Sequence, residues 1–200
     1  MSSRLLDPNL QRSNSGSIGL GSALSLFLAS YRKAPKFVGE VGTYIGNSAA
    51  AMGYGAGLAQ QSVQLITCDI HPCTQQPFAG LSLPEGSKAQ VVQGTSTQMF
   101  EFLVTKGAKL DMLHLDGRLM KDDLKLLSQI LKPDTLIALD DCEGDEKGHM
   151  NLDLLRRAGL IQNHAYVEPF PREIFRRWGL ETRSVTGFLL PRSSISFTRQ

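Results

Sequence analysis

Short strand-like runs, most of them closing on an acidic residue and separated by stretches with helical spacing, constrain the fold of this chain more than any other feature. The runs are Lys36–Val41, Val63–Cys68 ending at Asp69, Ala89–Gln93, Leu110–Leu115 ending at Asp116, and Thr135–Leu139 ending at Asp140-Asp141. Helical spacing marks Leu20–Tyr31, Thr97–Lys106, Lys121–Leu131 and Met150–Ala158, and a buried helix capped by Asn47 or Ser48 fills the uncharged stretch after the first run. Strands alternating with helices predict a doubly wound, mostly parallel α/β sheet with helices on both faces. Ala165–Val167, Gly187–Leu190 and Ile195–Thr198 read as further strands, and the Pro/Gly-punctuated stretch Pro72–Ser87 has room for one helix.

With 200 residues, 42% hydrophobic and 20% charged, the chain has the size and balance of a single domain spanning 1–200. A Ser/Asn/Gly-rich lead-in, residues 1–19, is expected to be flexible or to form a lid. The uncharged stretch from Ser13 to Tyr31 is too rich in serine and glycine to span a bilayer, and Asp7 upstream argues against a secretory leader. Three cysteines at no zinc-like spacing fit a reducing, cytoplasmic location. A net charge of +2 carries no global signature of nucleic-acid binding. It averages an acidic centre and two basic ends, of which residues 156–200 hold eight arginines.

In such sheets, ligands bind outside the carboxyl ends of the strands. The first of those ends carries Gly39-Glu40-Val41-Gly42-Thr43-Tyr44-Ile45-Gly46-Asn47-Ser48, a glycine-bearing turn into a helix whose N-terminal N–H groups suit an anion. Three residues separate Gly42 from Gly46, so the dinucleotide fingerprint is absent and a nicotinamide or flavin cofactor is disfavoured. The pattern E-x-G-x-x-x-G-x-S resembles the first motif of class I S-adenosylmethionine-dependent methyltransferases, in particular the catechol-type and macrocin-type O-methyltransferases. The resemblance implies their Rossmann-like fold with a seven-stranded sheet. It also implies that Gly42, Thr43 and Gly46 form the loop under the cofactor's methionine, that Ser48 holds its carboxylate, and that Glu40 and Tyr44 sit beside its amino-acid end. Asp69 would hold the ribose, since a carboxylate accepts two hydroxyl hydrogen bonds, and Ser96 would lie at the adenine side.

The carboxylates at the fourth and fifth run ends, Asp116, Asp140 and Asp141, would fall on neighbouring strands about 4.8 Å apart and repel unless one is protonated or a cation joins them. Oxygen ligands of this kind suit Mg2+ or another divalent ion, as in the metal-dependent branch of the family. Such an ion would bind two adjacent oxygens of a hydroxylated small-molecule acceptor and position one for attack on the methyl-sulfonium group. Asp116 is expected to be ligand, cofactor contact and general base. The family's lysine after the fourth strand has no exact counterpart. Lys121 stands in for it as a catalytic candidate, with Arg118 beside it. His114, within a strand, reads as a hydrogen-bonded core residue, and the arginine-rich tail reads mainly as solvated surface. The acceptor pocket must come from the lead-in, the 72–87 stretch and the 142–149 loop, and a homodimer would add to them. Neither a membrane nor a nucleic acid is the expected partner; the alternatives are a metal-independent methyltransferase acting on nitrogen or nucleic acid, and a non-catalytic S-adenosylmethionine-binding module.

Overall fold

In the computed structural model, residues 18–59, 62–72, 83–142, 147–161, 177 and 186–189 are described. Most of the lead-in, residues 73–82, residues 143–146, the expected strands Ala165–Val167 and Ile195–Thr198, and most of the basic tail lie outside them. The elements run α1 (Leu20–Lys33), β1 (Phe37–Val41), α2 (Asn47–Leu58), β2 (Gln64–Asp69), β3 (Lys88–Gln93), α3 (Ser96–Thr105), β4 (Leu110–Leu115), α4 (Asp123–Ile130), β5 (Leu131–Leu139), α5 (Lys147–Arg157) and β6 (Gly187–Leu189). The sheet order is β3-β2-β1-β4-β5-β6, parallel except for β6, which pairs antiparallel with β5. Among the described residues the sheet therefore has six strands where seven were expected, and the mostly parallel doubly wound architecture stands.

Each face of the sheet has its own core. Val38, Leu65, Met112 and Ala138 pack with Leu26, Ala49, Ala51, Met52 and Ala56 on the α1/α2 side. Leu110, Leu113, Leu115, Ile137 and Leu139 pack with Phe100, Leu103, Leu127, Ile130 and Leu155 on the α3/α4/α5 side. With both faces covered, β4 is apolar on both sides, as a central parallel strand must be, and Leu110, Met112, Leu113 and Leu115 are all fully buried. Each such side chain contributes about 1.5–3 kcal/mol by leaving water.

Several boundaries differ from the sequence reading, among them those of α2, β5 and α5. Gly46, with φ 82°, caps α2, so Asn47 and Ser48 lie inside its first turn and no side chain caps it. The reason is the turn: Gly46 N–H donates to the Thr43 carbonyl at 2.8 Å, and left-handed backbone there suits glycine. β5 begins at Leu131 instead of Thr135, with a register shift against β4 between Leu110 and Met112. Pro133 sits within that irregularity, where a missing N–H is tolerated. Thr135 secures the segment, its hydroxyl donating to the Leu110 carbonyl and accepting the Lys132 N–H, both at 2.7 Å. Finally, α5 is described from Lys147, three residues before the expected start at Met150. No helix among the described residues is long and apolar enough to cross a membrane.

Candidate active site

Strand register places the site. Val41 is level with Cys68 and with Leu115, and Leu115 is level with Leu139. The residues just past these ends carry the ladder onward: Gly42 N–H donates to the Cys68 carbonyl at 2.9 Å, Asp116 N–H to Val41 at 2.9 Å, and Asp140 N–H to Leu115 at 3.1 Å. Gly42, Asp69, Asp116 and Asp140, scattered over the chain, thus stand along one sheet edge. Above the edge is a cavity of about 590 Å³, in the range that holds a cofactor-sized ligand, and Gly42, Tyr44, Asp69, Ser96 and Asp116 line it. A small recess beside it, sharing Tyr44 and Asp116, is lined by Thr43 and Ser48 at the α2 N-terminus.

Gly42 has φ 96°, and a Cβ there would lie 3.0 Å from the Asp116 carbonyl carbon. Only glycine lets the first loop lie directly against the end of β4. Asp69 holds that loop from the other side. One carboxylate oxygen accepts Tyr44 N–H at 2.7 Å and the other accepts His71 N–H at 2.8 Å. Each oxygen retains a lone pair for a further donor.

Glu40 lies beneath the loop, fully buried, and lines neither hollow. Its oxygens accept Thr67 Oγ1 at 2.8 Å and meet His114 Nδ1 at 3.0 Å, while Thr43 Oγ1 is 2.5 Å from Thr67 Oγ1. Burial works against charge on His114, but the bond to Glu40 and the negative charges of Glu40, Asp116 and Asp140 outweigh it and hold the imidazole above its ordinary pKa. Glu40 therefore shapes the loop from below, through Thr67 and Thr43. Ser96 lines the cavity with its hydroxyl already donated to Asp123 at 2.6 Å. Cys68 also lines it, its thiol pushed up to about 12 chiefly by burial, which leaves it protonated and inert.

Lys147, from the first turn of α5, also lines the cavity. Its ammonium is 2.6 Å from Asp116 Oδ1 and 3.0 Å from Asp141 Oδ2. Burial and the neighbouring Asp140 push Asp116 up to about 7, with His114 and Lys147 pulling the other way. Burial also disfavours the Lys147 charge, yet Asp116 and Asp141 overcome this and hold the amine above its usual range, so it is a cation at neutral pH. Asp140 is turned differently, its Oδ1 accepting Ser22 Oγ at 3.3 Å and Thr186 Oγ1 at 3.0 Å.

The expected divalent ion does not fit this arrangement. Asp116 and Asp141 already share the Lys147 ammonium, and Asp140 Oδ1 is engaged by Ser22 and Thr186. No group of three or more His, Cys, Asp or Glu among the described residues could hold a metal. Lys121, the expected catalytic lysine, is exposed and lines no part of the cavity.

A family model described as a methyltransferase domain matches residues 40–142, just over half of the chain and the whole of the edge described above. The chain belongs to the methyltransferase domain family. The solved structures it resembles include an O-methyltransferase from Bacillus cereus in complex with SAH, at 11% identity and TM-score 0.64, covering 94% of this chain and 89% of that one. A putative O-methyltransferase from Klebsiella pneumoniae is similar at 14% identity and TM-score 0.61, covering 96% and 89%. The O-methyltransferase TomG from Streptomyces achromogenes, involved in tomaymycin synthesis and solved with SAM, is similar at 13% identity and TM-score 0.60, covering 94% and 88%. Among curated proteins none matches.

Two residues of this methyltransferase's site escaped the sequence reading. Lys147 lies in the 142–149 stretch that the sequence reading took for a loop, with Gly148 beside it as one more loop residue. That glycine is instead a contact, since a Cβ there would lie 2.3 Å from the Asp140 carbonyl oxygen and 2.6 Å from that of Asp141. Asp123, fully buried, accepts Ser96 Oγ and Thr97 Oγ1, each at 2.6 Å, and Met120 N–H at 2.7 Å. It ties the cavity's α3 wall to the loop after β4. Its signal was an acidic residue placed where an apolar one would continue the helix.

Proposed function

We propose that this methyltransferase transfers the methyl group of S-adenosylmethionine to a hydroxyl oxygen of a small-molecule acceptor. The observation that carries the reading is that Gly42, Tyr44, Asp69, Asp116 and Lys147 all line one cavity. A cationic sulfonium cofactor suits a cavity floored by carboxylates. The remaining lone pairs of Asp69 would accept the ribose hydroxyls, and the exposed Ile70 and Met120, both on the cavity wall, would cover the flat faces of the base. The recess at the α2 N-terminus, with Ser48, would take the cofactor's carboxylate.

The acceptor then lies over Asp116. Its hydroxyl proton passes to the Asp116 carboxylate, its oxygen forms the new bond to the methyl carbon, and the sulfur–methyl bond breaks to leave the neutral thioether S-adenosylhomocysteine. A base poised near 7 is suited to this transfer at neutral pH. The chain's own contribution is alignment and proton removal, because attack on a sulfonium neutralises charge instead of creating it.

Calorimetric titration with S-adenosylmethionine, followed by S-adenosylhomocysteine release over a panel of hydroxylated acceptors, tests the reading. Heat of binding and oxygen-methylated product are expected. Absence of any cofactor binding, or methylation at nitrogen alone, would overturn it.

A further inference from the structure

The acceptor end of the cavity contains a charge arrangement that the reaction just proposed does not by itself require. Asp141 has left-handed backbone, φ 53°, and its carboxylate meets the same ammonium as Asp116. Lys147 is held at that point by its neighbour. Gly148 packs so closely on the Asp140 and Asp141 carbonyls that no side chain fits between them, which fixes the start of α5 against the end of β5. The ammonium is thus seated by backbone packing and by two carboxylates from two strand ends. It has three donors, of which Asp116 and Asp141 take two.

A hard divalent ion demands several oxygens at about 2.1 Å and would have to share these carboxylates with a cation only about 3 Å away. The two occupants exclude each other. We propose that Lys147 is this cavity's resident cation, doing for the acceptor what a divalent metal would otherwise do: it joins the converging carboxylates and offers its third N–H to an acceptor oxygen. The inference rests on the methyltransferase reading for its chemistry, but its physical content, an ammonium that keeps metal out, is separable from it.

Manganese alone is the probe, followed by the electron paramagnetic resonance of the free ion, with wild type and the variants K147M, K147Q, K147R and K147M/D141N. Wild type and K147R are expected to leave Mn2+ free. K147M and K147Q are expected to bind it at least about tenfold more tightly, as removal of an adjacent like charge allows, and D141N added to K147M is expected to abolish that binding. Mn2+ bound by wild type as tightly as by K147M, and lost on D141N, would overturn the proposal. So would failure of K147M and K147Q to bind more tightly than wild type. Titration of each protein with S-adenosylmethionine runs alongside: loss of cofactor binding in wild type strikes the proposed function, whereas the manganese comparison strikes only the role of Lys147.

Discussion

Asp116 is buried near His114 of β4, Asp140 just past β5 and Lys147 of α5, and the balance leaves its carboxyl near 7. As a base it must be ionised, so kcat/KM is expected to rise as pH passes through about 7 and then level off. Asp116→Asn should lower kcat by about 10²–10⁴-fold, measured by S-adenosylhomocysteine release. The same raised value has a consequence for stability. Between the ordinary 3.8 and about 7 the folded chain keeps a proton that the unfolded chain has lost, so the contribution is fully present below pH 3.8 and is lost as pH rises through 7. Urea midpoints across this range should fall more steeply for wild type than for Asp116→Asn. Asp69 does two tasks, bracing the loop through Tyr44 N–H and facing the cavity, so Asp69→Asn is expected to weaken S-adenosylmethionine about tenfold or more by calorimetry. Asp69 and Asp116 were legible in the sequence because the first closes and the second directly follows a strand whose apolar run is easy to see. Glu40 was legible as important but not as buried, since its partners Thr67 and His114 reach it only through strand pairing.

Elements bring in what single residues cannot reveal. α5 delivers Lys147 only because Gly148 allows the helix to start against the Asp140 and Asp141 carbonyls. Gly148→Ala is therefore expected to push the first turn of α5 outward and to reduce turnover while leaving cofactor affinity within a few-fold, measured by calorimetry and S-adenosylhomocysteine release. A merely local loss of helix stability would leave both unchanged. The strand-to-helix turn after β1 was readable from its glycines. The bulged start of β5 was not, because the run Leu131-Lys132-Pro133-Asp134 reads as a loop until Thr135 pins it to β4. The early start of α4 was overread by two residues, because Asp123 draws the preceding backbone into a turn by accepting Met120 N–H.

At the scale of the molecule, the doubly wound pattern was legible because both faces of a parallel sheet must be covered, which writes near-continuous apolar runs into the central strands. The site depends on that core only through strand register. Leu113→Ala, a cavity at the centre of the α3/α4/α5 side, should cost about 2–5 kcal/mol in urea unfolding and leave the cofactor dissociation constant nearly unchanged under native conditions. The ladder that continues past the strand ends has a consequence for time as well as for shape. Amides of Gly42, Asp116 and Asp140 are bonded to neighbouring strands before any ligand arrives, so in deuterated water they should exchange only with the slowest, globally unfolding class. The platform beneath the reaction would then already be set in the ligand-free protein, and a bound cofactor should slow exchange in the walls above it while changing nothing at those three positions.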